Sequence, residues 1–147
     1  MFYDLENFKP INDTYGHSAG DAILKHVATA MQDVLRQEDT VCRFGGDEFV
    51  ILIEELDDFA YLQDILNKVH KITEKKFKVE NSELSIAMSI GASIYPSDAQ
   101  TPEALLKCAD EAMYRAKNSG KNKISFFQND TKVYTNNSII RLKSVNI

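Results

Sequence analysis

The sequence predicts an α+β sandwich in which helices pack on a mostly antiparallel sheet in the order βαββαβ. Three observations carry this. Apolar residues recur at helical spacing in three stretches, 23–35, 59–72 and 105–116. Short apolar runs lie between those stretches and read as strands. A Gly45-Gly46 pair separates two of the runs, as the turn of a tight hairpin does.

Phe2 and Tyr3 read as the end of a first strand that runs into a loop at Asp4. After Met1 only Phe2 and Tyr3 precede that acid, so the first strand is expected to be truncated. Residues 10–17 are dense in turn formers and are expected to be a long loop. Ser18 with Asp21 resembles a capping box that opens a helix carrying Ile23, Leu24, Val27, Ala28, Met31, Val34 and Leu35. Residues 41–44 and 49–53 form the hairpin strands. The second run is apolar on both faces, which predicts a strand central in the sheet.

A second helix carries Phe59, Leu62, Ile65, Leu66, Val69 and Ile72, and ends near the basic residues Lys75, Lys76 and Lys78. Strands follow, with 84–94 the strongest. Gly91 inside that run marks a bulge or a close backbone approach. Thr101, Pro102 and Glu103 read as N-cap, first-turn proline and first-turn acid. The helix they start buries Leu105, Cys108, Ala109, Ala112, Met113 and Ala116 and stops near Gly120. Residues 123–127 give a last short strand, and 128–147 read as a linker or C-terminal tail.

A chain of 147 residues, 44% hydrophobic and 27% charged, can build a real core. No apolar run approaches the roughly 18 residues of a membrane helix, and the N-terminus lacks a signal-like pattern. A cytoplasmic location is the expectation. A net charge of −5 opposes binding to nucleic-acid polymers. It still allows a nucleotide, because a metal offsets repulsion between carboxylate and phosphate. Cys42 and Cys108 lack metal-ligand spacing and are expected to be buried, reduced thiols.

Asp4 ends the first strand, while Asp47 and Glu48 follow the glycines of the hairpin. Carboxylates gathered at one sheet edge suit Mg²⁺ in phosphoryl transfer. The same three acids also suit an ordinary polar surface. Asn12 and Asp21 flank the loop at Gly16 and His17. A carboxylate and an amide together can read a guanine edge, although Asp21 could equally serve as a helix cap. The residues alone leave both pairs of readings open.

Several segments in order resolve them by resemblance. Gly45-Gly46-Asp47-Glu48-Phe49 resembles the signature of the GGDEF domain, the catalytic domain of diguanylate cyclases. Residues 4–9, 11–17, Gly20-Asp21, 89–91 and 109–117 resemble the rest of that family's pattern, over roughly 2–127. The resemblance implies a ferredoxin-like or palm-like fold and synthesis of cyclic di-GMP from two GTP by a homodimer with Mg²⁺ or Mn²⁺. It makes Asp4, Asp47 and Glu48 metal ligands, joined by the Leu5 carbonyl. Asp47 also lies where the family's general base lies, and the resemblance leaves the division of roles between Asp47 and Glu48 open. Asn12 and Asp21 match the guanine-reading pair, with His17 in the same segment. The Phe8 backbone, Lys9, Lys117 and Lys121 match phosphate contacts. At Lys121 the family more often has Arg, whose planar fork Lys lacks.

Arg36 and Asp39 resemble the family's RxxD inhibitory site for cyclic di-GMP, in which the Arg grips guanine and phosphate. As a bare pattern, a salt bridge at a helix end explains the same residues. The helix and turn that usually precede the family's first strand are not in this sequence, so the domain over 1–127 is expected to be N-terminally truncated. That leaves a second functional expectation, a module that binds GTP or cyclic di-GMP without turnover and regulates a neighbouring domain.

Overall fold

The computed structural model describes residues 1–56, 59–72, 76–79, 82–120, 122–127, 132–135 and 138–141. The chain divides into two compact units, Met1–Asp4 with Ser89–Ile147, and Leu5–Met88. No helix among the described residues is long and apolar enough to cross a membrane. The first strand, β1 (Phe2–Glu6), is buried along its length and gives Phe2–Asp4 to one unit and its last two residues to the other.

In the unit Leu5–Met88, helix α1 (Phe8–Tyr15) stands where the sequence predicts a long loop. Two features override the turn propensity there. Pro10 lies in the first turn, where a missing N–H costs nothing, and Asn7 enters from the left-handed region at φ 64°. Phe8 and Ile11, three apart, then share one buried face. Helix α2 (His17–Val34) follows, with Gly16 as its N-cap at φ 83°. No side chain caps α2, so Ser18 and Asp21 are helix residues and the expected capping box is absent. Gly16 takes the N-cap place because its φ is one that L side chains rarely adopt.

Strands β2 (Thr40–Gly45) and β3 (Glu48–Leu52) form the expected hairpin, antiparallel with Val41 opposite Ile51 and Arg43 opposite Phe49. The strand order in this unit is β2-β3-β1. β3 is therefore an inner strand, but only one of its faces is covered. Phe49 and Ile51 are buried, while Leu52 is 49% exposed. Helix α3 (Phe59–Ile72) buries Leu62, Ile65, Leu66, Val69 and Ile72, the stripe its spacing predicts. Together with Ile23, Leu24, Val27 and Met31 of α2 these residues make the unit's core. A small antiparallel pair, β4 (Phe77–Val79) and β5 (Ser82–Leu84), carries the ion pair Lys76–Glu83 at 3.0 Å. Lys75 lies outside the described residues.

The other unit has the strand order β1-β6-β7-β8-β9, with β6 (Ala87–Ala92), β7 (Ile124–Phe126), β8 (Lys132–Thr135) and β9 (Ser138–Arg141). β6 and β7 are parallel, so their connection must be long, and helix α4 (Pro102–Asn118) supplies it. Thr101 caps α4 as predicted, accepting the Ala104 N–H at 3.2 Å. Ala109, Ala112, Met113 and Ala116 are its buried face, whereas Leu105 and Cys108 are only half-buried. Residues 132–135 and 138–141 are strands, where the sequence suggests linker or tail.

The cysteines differ from expectation in burial. Both are free, Cys42 is exposed and Cys108 is half-buried. Cys42 lies on β2, which is exposed along most of its length. The Cys108 thiol faces the Asp98 carbonyl at 3.7 Å.

Gly91 is a close approach, as its place in an apolar run suggests. A Cβ there would collide with the Ala109 carbonyl oxygen and the Met113 backbone nitrogen of α4. Backbone cannot give way as a side-chain tip can. Gly91→Ala is expected to lower stability by about 3 kcal/mol, read as a lower urea midpoint at unchanged slope.

Candidate active site

The hairpin tip is a turn over Gly46 and Asp47, with Gly46 at φ 49°. Gly46 thus supplies a conformation most side chains resist. The Arg43 Nε–H donates to the Gly46 carbonyl at 2.8 Å and braces the turn. The Leu5 N–H donates to the Asp47 carbonyl at 3.1 Å, which fastens the tip to β1 one residue after Asp4. Asp47 and Glu48 are half-buried at this tip.

Asp4 is buried, and its carboxylate pairs with Lys117 of α4 at 2.7 Å. Two residues far apart in sequence, an expected metal ligand and an expected phosphate contact, are thereby joined. Among the described residues no group of three or more His, Cys, Asp or Glu side chains could hold a metal. The expected donors are all hard oxygens, from carboxylates and the Leu5 carbonyl. Mg²⁺ takes one or two carboxylates together with substrate phosphates and water, so the donor chemistry fits without a three-carboxylate cluster.

The side chain of Asn12 on α1 lies over Gly20 of α2. Its Oδ1 is buried and accepts no hydrogen bond from the described residues. A buried acceptor left unpaired costs about 1–3 kcal/mol, and a ligand donor would remove that cost. Asp21 follows Gly20 and is exposed, as are His17 and Lys9. Phe8 is a core residue on the same short helix as Asn12. Lys121 lies outside the described residues.

The structure also brings together Arg36 and Asp39, and adds a residue that the motif reading missed. Tyr61 of α3 donates its hydroxyl to Asp39 Oδ2 at 2.8 Å. The Arg36 guanidinium carbon lies over the Tyr61 ring, 3.4 Å from its centroid. Asp39 accepts further from the Arg36 N–H at 3.1 Å on Oδ2 and from the Glu54 N–H at 3.3 Å on Oδ1. The sequence held one signal for this. Tyr61 is an aromatic on a helix, off the apolar stripe of that helix.

A family model described as "Diguanylate cyclase, GGDEF domain" matches residues 1–123. The chain belongs to the GGDEF family. It is 41% identical over 128 residues to the bifunctional diguanylate cyclase/cyclic di-GMP phosphodiesterase MucR of Pseudomonas aeruginosa, covering 87% of this chain and 18% of that protein. It is 32% identical over 131 residues to diguanylate cyclase A of Treponema denticola, covering 88% of this chain and 35% of that one. The chain thus spans about a third or less of the length of these relatives. Among solved structures, the GGDEF domain of YfiN (TpbB) from Pseudomonas aeruginosa superposes with a TM-score of 0.82 at 36% identity, covering 87% of this chain and 80% of that one. An EAL/GGDEF domain protein from M. capsulatus gives 0.81 at 39% identity, covering 87% and 83%. The mixed α+β fold with a mostly antiparallel sheet is the fold of these domains.

Partial burial, then the hydrogen bond and charge of Asp39, push the Tyr61 hydroxyl from its ordinary 10.0 up to about 12. It therefore donates across the physiological range. A raised folded value means that the folded state keeps the proton longer than the unfolded chain does. The resulting stability is whole below pH 10.0 and is lost as pH rises through about 12. Urea unfolding of wild type and Tyr61→Phe should give a gap that is constant below about pH 9 and shrinks above pH 10.0.

Proposed function

We propose that this GGDEF domain is a diguanylate cyclase, condensing two GTP into cyclic di-GMP with release of pyrophosphate from each. The observation that carries the reading is the Leu5–Asp47 backbone hydrogen bond, which holds the signature turn on the strand residue next to Asp4. Asn12 and Asp21 read the guanine, with His17 beside them. The orphaned Asn12 Oδ1 supports this assignment, because it needs a donor and guanine has N–H groups on its edge. The Phe8 backbone, Lys9, Lys117 and Lys121 contact the phosphates.

Asp4, Asp47, Glu48 and the Leu5 carbonyl would hold Mg²⁺ or Mn²⁺, which neutralises phosphate charge and favours the nucleophilic oxygen. Asp47, with Glu48 beside it, takes the proton of the 3′-hydroxyl as that oxygen attacks the α-phosphorus of the second GTP. Lys117 leaves Asp4 for phosphate in this scheme. Each ring closure needs two nucleotides opposed, so the working unit is a homodimer. Arg36 and Asp39 form a product site that inhibits the enzyme. The supply of GTP puts the reaction in the cytoplasm.

Purified protein given GTP and Mg²⁺ should form cyclic di-GMP, identified by mass, at a rate that rises faster than linearly with protein concentration. Asp47→Ala should lower that rate at least about a hundredfold. Normal GTP binding with no cyclic di-GMP at any concentration would sink the reading.

Gly20→Ala tests the guanine seat. Its Cβ would meet the tip of the Asn12 side chain, which can swing away, so stability should change little. GTP affinity should drop about tenfold, the loss of one good hydrogen bond. Unchanged affinity would remove Asn12 from the site.

One observation favours the alternative, a module that binds without turnover. NbdA of Pseudomonas aeruginosa, 38% identical over 130 residues, is named a cyclic di-GMP phosphodiesterase, and the chain spans 16% of it. Tight cyclic di-GMP binding that Arg36→Ala abolishes, with no synthesis, would select that alternative.

A further inference from the structure

Arg36 and Asp39 are both engaged by Tyr61, and each engagement copies what a guanine would do. The guanidinium stacks on an aromatic ring, and the carboxylate accepts from a donor at the ring's edge. The two contacts differ in consequence. Arg36 is exposed, so with one face on Tyr61 its other face is open to solvent. A purine can stack there without displacing anything, forming a ring–guanidinium–base layer.

Asp39 is more crowded. A carboxylate offers about four lone-pair positions, two on each oxygen. Oδ2 already accepts from the Arg36 N–H and the Tyr61 hydroxyl, while among the described residues Oδ1 accepts from the Glu54 N–H alone. The guanine edge presents two parallel N–H donors and needs one position on each oxygen. Oδ1 has one left and Oδ2 has none. The donors on the Arg36 and Glu54 sides are backbone groups fixed by the chain. The Tyr61 hydroxyl is the one that a small side-chain rotation releases.

We propose that Tyr61 is the positioning residue that sets the affinity of the product site. Its ring is the shelf that holds Arg36, and its hydroxyl is an internal competitor that guanine must displace from Asp39. The inference rests on the Arg36–Asp39 pair being a cyclic di-GMP site. It adds that the two halves of one side chain act in opposite directions. No step of the cyclase reaction passes through Tyr61.

The test is calorimetric titration of this chain with cyclic di-GMP, for wild type, Arg36→Ala, Tyr61→Phe and Tyr61→Leu, each checked for a native thermal transition. Tyr61→Phe keeps the shelf and removes the competitor, so binding should tighten about fivefold. Tyr61→Leu removes both, and the free Arg36 side chain should leave binding about fivefold weaker than in Tyr61→Phe or more. A merely structural tyrosine would weaken binding in both variants. If wild type binds and Arg36→Ala does not, but Tyr61→Phe binds no tighter than wild type, the product-site reading stands and the role of Tyr61 is overturned. If wild type does not bind, or Arg36→Ala binds as wild type does, the product-site reading itself fails and the role of Tyr61 falls with it.

Discussion

The hydrogen bond from the Leu5 N–H to the Asp47 carbonyl is the constraint on which the rest depends. A two-glycine hairpin tip has little of its own to hold it, because glycine loses more conformational freedom on folding than any other residue. Arg43 braces the turn internally, but that bond moves with the hairpin. The Leu5 bond ties the tip to a different strand, and that strand is buried throughout. The acids at the tip therefore inherit the rigidity of a core element. A site on a loose tip would add a term for ordering it each time a nucleotide arrived.

Burial sets a second condition. A carboxylate inside a protein is tolerated when it is paired, and Asp4 is paired with Lys117. The same cation therefore meets two needs. It keeps β1 compatible with an acid in its interior, and it holds a positive charge at Asp4, an acid that the proposed reaction uses. Two glycines give the corresponding steric allowances. Gly91 lets α4 lie against β6, and Gly20 leaves room for Asn12. One accommodates backbone and the other a side-chain tip, which is why their substitution bears on stability in one case and on recognition in the other.

What was legible in the sequence follows from the range of the forces involved. The hairpin, the stripe of α3, the Thr101 cap and the close approach at Gly91 rest on periodicity or on single-residue stereochemistry, and all are present. Helix α1 was not legible. Its turn-forming residues describe local preference, whereas the burial of Phe8 and Ile11 is tertiary. The cap of α2 was misread because a glycine at φ 83° does by backbone what Ser18 was expected to do by side chain. Both cysteines lie in apolar stretches, yet an apolar stretch does not say how far each position on its strand or helix is covered, and Cys42 on β2 is exposed while Cys108 on α4 is half-buried. Within the proposed site, the acids and the Asn12 amide are proposed from sequence because the chemistry of each is fixed by type. Sequence could not give the Asp4–Lys117 pair or Tyr61, which depend on elements brought together from distant positions.

The Arg36–Asp39 spacing has a physical reason beyond pattern. The Asp39 N–H donates to the Arg36 carbonyl at 3.2 Å, while the Arg36 N–H donates to the Asp39 carboxylate at 3.1 Å. The first is the i to i+3 bond of a β-turn and the second a side-chain bond back to its first residue, and together they close a four-residue turn after α2. Two intervening residues are what the closure requires. The turn fixes where both side chains start, and α3 then supplies the ring that fixes where the longer one ends. An acid shifted by one position would lose the carboxylate bond to the Arg36 backbone and the bond from Glu54 with it. The geometry of the pair is thus set by the turn before any ligand is considered, and a nucleotide would meet groups already ordered by backbone hydrogen bonds.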